Sequence, residues 1–94
     1  MDLTIKQGVH EFYIGESSKT ALARICFTPG DDNIIVADHT FVDESLRGQN
    51  IAKKLLDHLV AYAREHNLVI QPVCSYVVKA FEKYDAYKDI KHSY

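Results

Sequence analysis

The apolar period of this chain changes once, at Ile51, and that switch restricts the fold more than any other feature. From there the apolar side chains fall at Ile51, Ala52, Leu55, Leu56, Leu59, Val60 and Ala63, with Lys53, Lys54, Asp57, His58, Arg64 and Glu65 between them. This spacing lays one apolar stripe along a helix and turns the charges away from it, so it predicts a helix packed on a core from Ile51 to about Asn67. Asn67 is a suitable stop, because Asn tolerates the left-handed conformation just past a helix end.

Upstream of the switch the pattern is that of strands. Leu3 to Gln7 and Glu11 to Gly15 are short runs with β-branched and aromatic residues on either side of Gly8-Val9-His10, which predicts a hairpin. Ala21 to Thr28 and Ile34 to Val42 follow as third and fourth strands, separated by Pro29-Gly30-Asp31-Asp32-Asn33, the strongest turn signal in the chain. Downstream, Leu68 to Cys74 reads as a fifth strand. Its Pro72 lacks an N–H, so pairing must be interrupted there or the strand splayed. A second helix is expected from Ser75 or Tyr76, with Val77, Val78, Phe81 and Tyr84 on one side and Ser75 as its N-cap. The stretch from Asp85 to Tyr94 is polar and reads as short turns. The order ββββαβα predicts an α+β fold: a mostly antiparallel sheet of about five strands with two helices packed on it, in a single domain over residues 1–94.

Composition removes several function classes. A chain of 94 residues is long enough for a modest core, burying roughly 60 to 65 % of its unfolded surface. The net charge of −2 is spread along the chain without a basic patch, so nucleic acid is not the expected partner. The apolar runs are too short to span a bilayer and the first residues do not form a basic-then-apolar leader, so the expected location is the cytoplasm, away from membranes. Cys26 and Cys74 lack the spacing of a zinc or redox pair, and the five histidines, His10, His39, His58, His66 and His92, form no i, i+4 motif with a carboxylate base. No metal is expected.

The chemistry concentrates before the first helix, in Asp43-Glu44-Ser45-Leu46-Arg47-Gly48-Gln49-Asn50. A helix start exposes unpaired amides and the positive end of the macrodipole, which attract an anion. Gly48 removes a side chain that would block a phosphate, Asn50 can take a positive φ at modest energy, and Arg47 adds a charged fork. An ordinary solvated strand-to-helix turn is the competing reading, and the residues alone leave both open.

Arg47-Gly48-Gln49-Asn50-Ile51-Ala52, after a strand ending Asp38-His39-Thr40-Phe41-Val42 and before Lys53-Lys54-Leu55-Leu56, resembles the acetyl-CoA signature of Gcn5-related N-acetyltransferases. With the late Pro72-Val73-Cys74-Ser75-Tyr76 segment and the small size, the chain is similar to the minimal YjdJ-type branch of that superfamily. One difference is Asn50, where the family pattern favours Gly. The resemblance implies transfer of an acetyl group from acetyl-CoA to an amine acceptor, a small molecule, peptide or protein, by a monomer or weak homodimer. It assigns cofactor contacts to Phe41, Val42, Arg47, Gly48, Gln49, Asn50, Ile51, Ala52 and Lys53. The chain lacks the helices that larger relatives insert after their first strand, so the acceptor cleft should be open.

The resemblance also places Cys74 beside the thioester end of the cofactor, where a thiol activated by the following helix start would form an acetyl-cysteine intermediate. His39 lies near the strand end at which relatives place a base. Tyr76, with Tyr84 as a second candidate, corresponds to the tyrosine that protonates the departing CoA thiolate. Cys26, between Ile25 and Phe27, reads as core packing. A CoA-binding or interaction module without catalysis is the alternative function.

Overall fold

A computed structural model describes residues 3–92. Its elements in chain order are β1 (Lys6–Gly8), β2 (Glu11–Ile14), β3 (Ala23–Pro29), β4 (Ile34–Val42), a 3-10 turn (Glu44–Leu46), α1 (Ile51–Glu65), β5 (Val69–Pro72), α2 (Ser75–Lys83) and a 3-10 segment (Asp85–Ile90). The strands form one five-stranded sheet in the order β1-β2-β3-β4-β5. The first four are antiparallel neighbours, and β5 runs parallel to β4 because α1 carries the chain back across the sheet.

The predicted α+β architecture is therefore the observed one, with small differences at the ends of elements. β1 starts later than expected and takes in Gly8, so that Gly8 pairs with Glu11 and the hairpin turn is Val9-His10, with His10 at φ 56°. The second helix starts at Ser75, which is its first residue rather than its cap; Cys74 holds the cap position. The end of α1 follows the expected chemistry. Asn67 is left-handed, at φ 56°, and the Leu68 and Asn67 amides reach back to the Ala63 and Arg64 carbonyls, which satisfies the last turn.

Alternation sorts the sheet into two faces. Phe12, Ile14, Ala23, Ile25, Phe27, Ile35, Ala37 and Ile70 are buried on one face against the predicted stripe of α1, where Ile51, Leu55, Leu56, Leu59, Val60 and Ala63 are buried and Ala52 is half-buried. Each Leu or Ile so enclosed contributes about 1.5 to 3 kcal/mol. Glu11, Arg24, Cys26 and His39 share the other face, as the Glu11–Cys26 and Cys26–His39 pairings require. The tail is not a set of polar turns: Tyr87 and Ile90 are buried in the same core, and Lys91 bridges to Ile70 on β5.

Candidate active site

The site is built where β4 and β5 part. Their pairing stops at Ala37 and Pro72. There the Ala37 carbonyl accepts from both the Val73 and Cys74 amides, at 3.1 and 3.0 Å, and the chain turns straight into α2. Beyond this point β4 keeps β3 on one side only, so its end from Asp38 to Val42 presents an edge free of β5.

A bulge sets what that end of β4 displays. Cys26 pairs with His39 and Phe27 with Ala37, leaving Asp38 as the extra residue, which accepts a hydrogen bond from Thr28. The insertion shifts the alternation, so Thr40 and Val42, opposite buried Ile25 and Ala23, face the helices, while His39 and Phe41 face away.

The connection from β4 to α1 is anchored at both ends. Asp43 accepts from the Ser45 amide and hydroxyl, at 3.0 and 2.7 Å, which holds its carboxyl below the usual range. Leu46 plugs into the core. Gly48 then takes φ +86° and Asn50 φ 60°, both left-handed. Asn50 makes no side-chain cap bond, so its own side chain does not quench the first-turn amides of α1.

These parts enclose a cleft of about 490 Å³. Val42, Leu46 and Tyr76 form its apolar side, and Arg47, Gly48 and Asn50 through Lys53 form the other. Two lining side chains are cations, Arg47 and Lys53, and none is a carboxylate. A Cβ built on Gly48 would meet no protein atom within 4 Å and would stand in open space, so its absence leaves room for a ligand rather than relieving a contact within the fold. Apart from Phe41, which faces away, and Gln49, every residue expected to contact the cofactor lines this cleft.

Tyr76 lines the cleft, whereas Cys74, at the cap of α2, is not among its lining residues and meets Thr40 instead. The Cys74 thiol donates to Thr40 Oγ1 at 3.4 Å, across the gap between the strands. Burial pushes its pKa up, but the Thr40 hydroxyl and the amides of Tyr76, Val77 and Thr40 outweigh that and hold it below the ordinary thiol value. Cys26 has the opposite bias, raised by burial and then by Glu11. Burial likewise raises the Tyr76 phenol, with Tyr84 adding to it and the Lys53 ammonium opposing. His39 is exposed on the other face, opposite Cys26, and is separated from Tyr76 and the cleft by the sheet.

Sequence reasoning missed Leu46 and Thr40. For Thr40 the signal was its place in the strand, obscured by the bulge. For Leu46 it was the one large apolar residue in a polar loop. Among the described residues no group of His, Cys, Asp or Glu is placed to hold a metal ion, and no helix is long and apolar enough to cross a membrane.

A sheet whose parallel last pair splays beside a cation-flanked helix start is the fold of the N-acetyltransferase structures that this chain resembles. The chain belongs to the GCN5-related N-acetyl-transferase family, whose model matches residues 11–90. It is similar to a GCN5-like protein from Staphylococcus aureus solved by NMR, at 44% identity over 98% of this chain and 90% of that one, with a TM-score of 0.84. A GNAT-family acetyltransferase from Staphylococcus aureus Mu50 matches at 26% identity over 64% of this chain, with a TM-score of 0.55. The ribosomal-protein-alanine N-acetyltransferase of Brucella melitensis biovar Abortus 2308 shares the fold, at 21% identity over 94% of this chain and a TM-score of 0.56. The chain spans 39% and 65% of the lengths of these last two. No curated protein matches it significantly.

Proposed function

We propose that this protein, as a member of the small YjdJ-type branch, transfers an acetyl group from acetyl-CoA to an amine on a small molecule, peptide or protein. The observation that carries the reading is the coincidence in one cleft of Arg47, the left-handed Gly48 and the uncapped first turn of α1. Free amides and a guanidinium together suit a pyrophosphate, which Gly48 admits. The free edge of β4 at Phe41 and Val42 offers backbone partners to the amides of the CoA arm, which would run toward Thr40 and Cys74.

At that end Cys74 is the candidate nucleophile. Its thiolate attacks the thioester carbonyl, a new S–C bond forms, and the bond to the CoA sulfur breaks. Tyr76, kept protonated at neutral pH, gives its proton to the leaving thiolate. The acceptor amine then attacks the acetyl-Cys74 carbonyl, the bond to the Cys74 sulfur breaks to return the thiolate, and the proton lost by the amine restores the Tyr76 phenol. His39, proposed as a base from the sequence, stands on the face opposite the cleft beside half-exposed Phe41, across the sheet from Cys74, and has no part in that step. An acceptor presented by a peptide or protein surface suits an open cleft.

The test is intact-mass spectrometry with peptide mapping after acetyl-CoA is added. An acetyl group is expected on Cys74 and not on Cys26, and CoA should protect Cys74 from iodoacetamide. Arg47→Glu should weaken CoA binding by roughly 1 to 3 kcal/mol, since a charge-assisted bond is replaced by repulsion. Full transfer activity in Cys74→Ser would remove the thiol from the reaction and leave direct amine attack. Unchanged CoA affinity in Arg47→Glu would remove the phosphate site.

A further inference from the structure

Lys53 lines the cleft from the first turn of α1, and its ammonium is held on several sides. Nζ lies 2.9 Å from Asp57 Oδ2, one turn along the helix. It also lies 4.9 Å from the centre of the Tyr84 ring and 6.0 Å from that of Tyr87. The second carboxylate oxygen, Asp57 Oδ1, accepts a hydrogen bond from the Tyr87 hydroxyl. Tyr87 is only 3% exposed and packs on Phe81. Its 3-10 segment is fastened to α1 by Arg64, which donates to both oxygens of Asp89 and to the Ala86 carbonyl.

Helix stability does not account for this arrangement. A lysine in the first turn opposes the macrodipole, and α1 has no acidic residue there to balance it. The order Lys then Asp at i, i+4 is also the weaker orientation of such a pair. A cation placed where the helix disfavours it, at the wall of a cleft that lacks carboxylates, is accounted for by an anionic ligand.

We infer that Asp57 and Tyr87 are positioning residues, through which the C-terminal segment fixes the Lys53 ammonium at the cleft wall to meet a phosphate of CoA. The inference rests on the reading of the cleft as a CoA site. A free lysine side chain gives up rotamer freedom when a ligand immobilises it, and a side chain already held gives up less. The ammonium has three N–H donors; Asp57 takes one and the Tyr87 hydroxyl a second, with the Tyr84 ring beside them, which leaves one donor for the ligand. Burial and then Asp57 push the Tyr87 phenol up to about 12, so its hydroxyl remains a donor to Asp57 at neutral pH.

Tyr87→Phe tests this cleanly, because it keeps the ring and leaves net charge unchanged. Calorimetric titration of CoA into the wild type, Tyr87→Phe, Lys53→Met and the double variant gives a cycle. Lys53→Met should weaken CoA binding roughly tenfold and reduce its salt dependence, as loss of one charge-assisted contact requires. Tyr87→Phe should weaken it roughly threefold, the smaller effect of loosening a held side chain. The double variant should be no weaker than Lys53→Met alone, whereas independent, additive losses or unchanged affinity in Tyr87→Phe would overturn the inference. NMR of the free protein reads the arrangement without ligand: the two Lys53 Hε signals should be distinct in the wild type and merge in Tyr87→Phe. Distinct signals in a wild type that binds no CoA would place the failure in the CoA reading, and merged signals in the wild type would place it in the positioning.

Discussion

Gly48 and Gly15 both have positive φ, at +86° and +142°, yet they are glycines for different reasons. A Cβ on Gly15 would lie 3.0 Å from the Ala21 Cα and 3.3 Å from the Leu22 amide nitrogen, so the fold itself excludes a side chain there. A Cβ on Gly48 meets nothing in the protein. Gly48→Ala should therefore lower stability by only about 1 kcal/mol, the backbone penalty of a left-handed alanine, while weakening CoA binding further than that penalty explains. Gly15→Ala should be the more destabilising change and leave the affinity of the folded fraction intact. Urea midpoints and CoA titrations of both variants check this, and equal loss of affinity in the two would show that Gly48 matters only for the fold. Arg47, Gly48 and Asn50 were legible in the sequence because each acts through a local property: charge, absent Cβ, tolerance of positive φ. Thr40 was not, because its role depends on which face of β4 it occupies, and the Asp38 bulge that decides this carries no local signal.

At the scale of elements, the segment from Asp43 to Asn50 is a structured piece with its own cap and its own anchor rather than a flexible turn. Leu46 is 1% exposed and also forms part of the cleft wall. Leu46→Ala should cost about 2 to 5 kcal/mol, a core-sized loss from a loop position, and should weaken CoA binding as well. A denaturation midpoint close to the wild type would show that the segment can collapse around the gap. α1 was readable in advance because its stripe runs for four turns and repeats the same evidence. The tail was not, because Tyr87 and Ile90 are only two apolar residues three apart, the spacing that aligns side chains in a 3-10 turn, set among charges that hide it. Pro72 lies between: its missing N–H announced an interruption of the sheet, and the partner strand showed that the interruption opens the site.

At the scale of the whole molecule, the tail joins the cleft to the core through Tyr87, and this gives a pH dependence whose sign can be worked out. The Tyr87 phenol is raised from its ordinary value of 10 to about 12, by burial first and then by the Asp57 carboxylate that accepts its hydrogen bond; Lys53 opposes the shift and Tyr84 stands beside it. Below pH 10 the phenol is protonated in both the folded and unfolded chain, so its stabilising contribution is complete. As pH rises past 10 the unfolded chain loses the proton while the folded one retains it, and stability falls until the folded phenol also ionises near 12. Other tyrosines and lysines titrate in the same range, so the informative quantity is the difference from Tyr87→Phe, which keeps the packing and lacks the titration. Urea unfolding of both proteins from pH 8 upward should show the wild type's advantage constant up to about 10 and then shrinking. A gap between the two that stays constant through pH 11 would mean that the Tyr87 hydroxyl is not held against Asp57 in the folded protein.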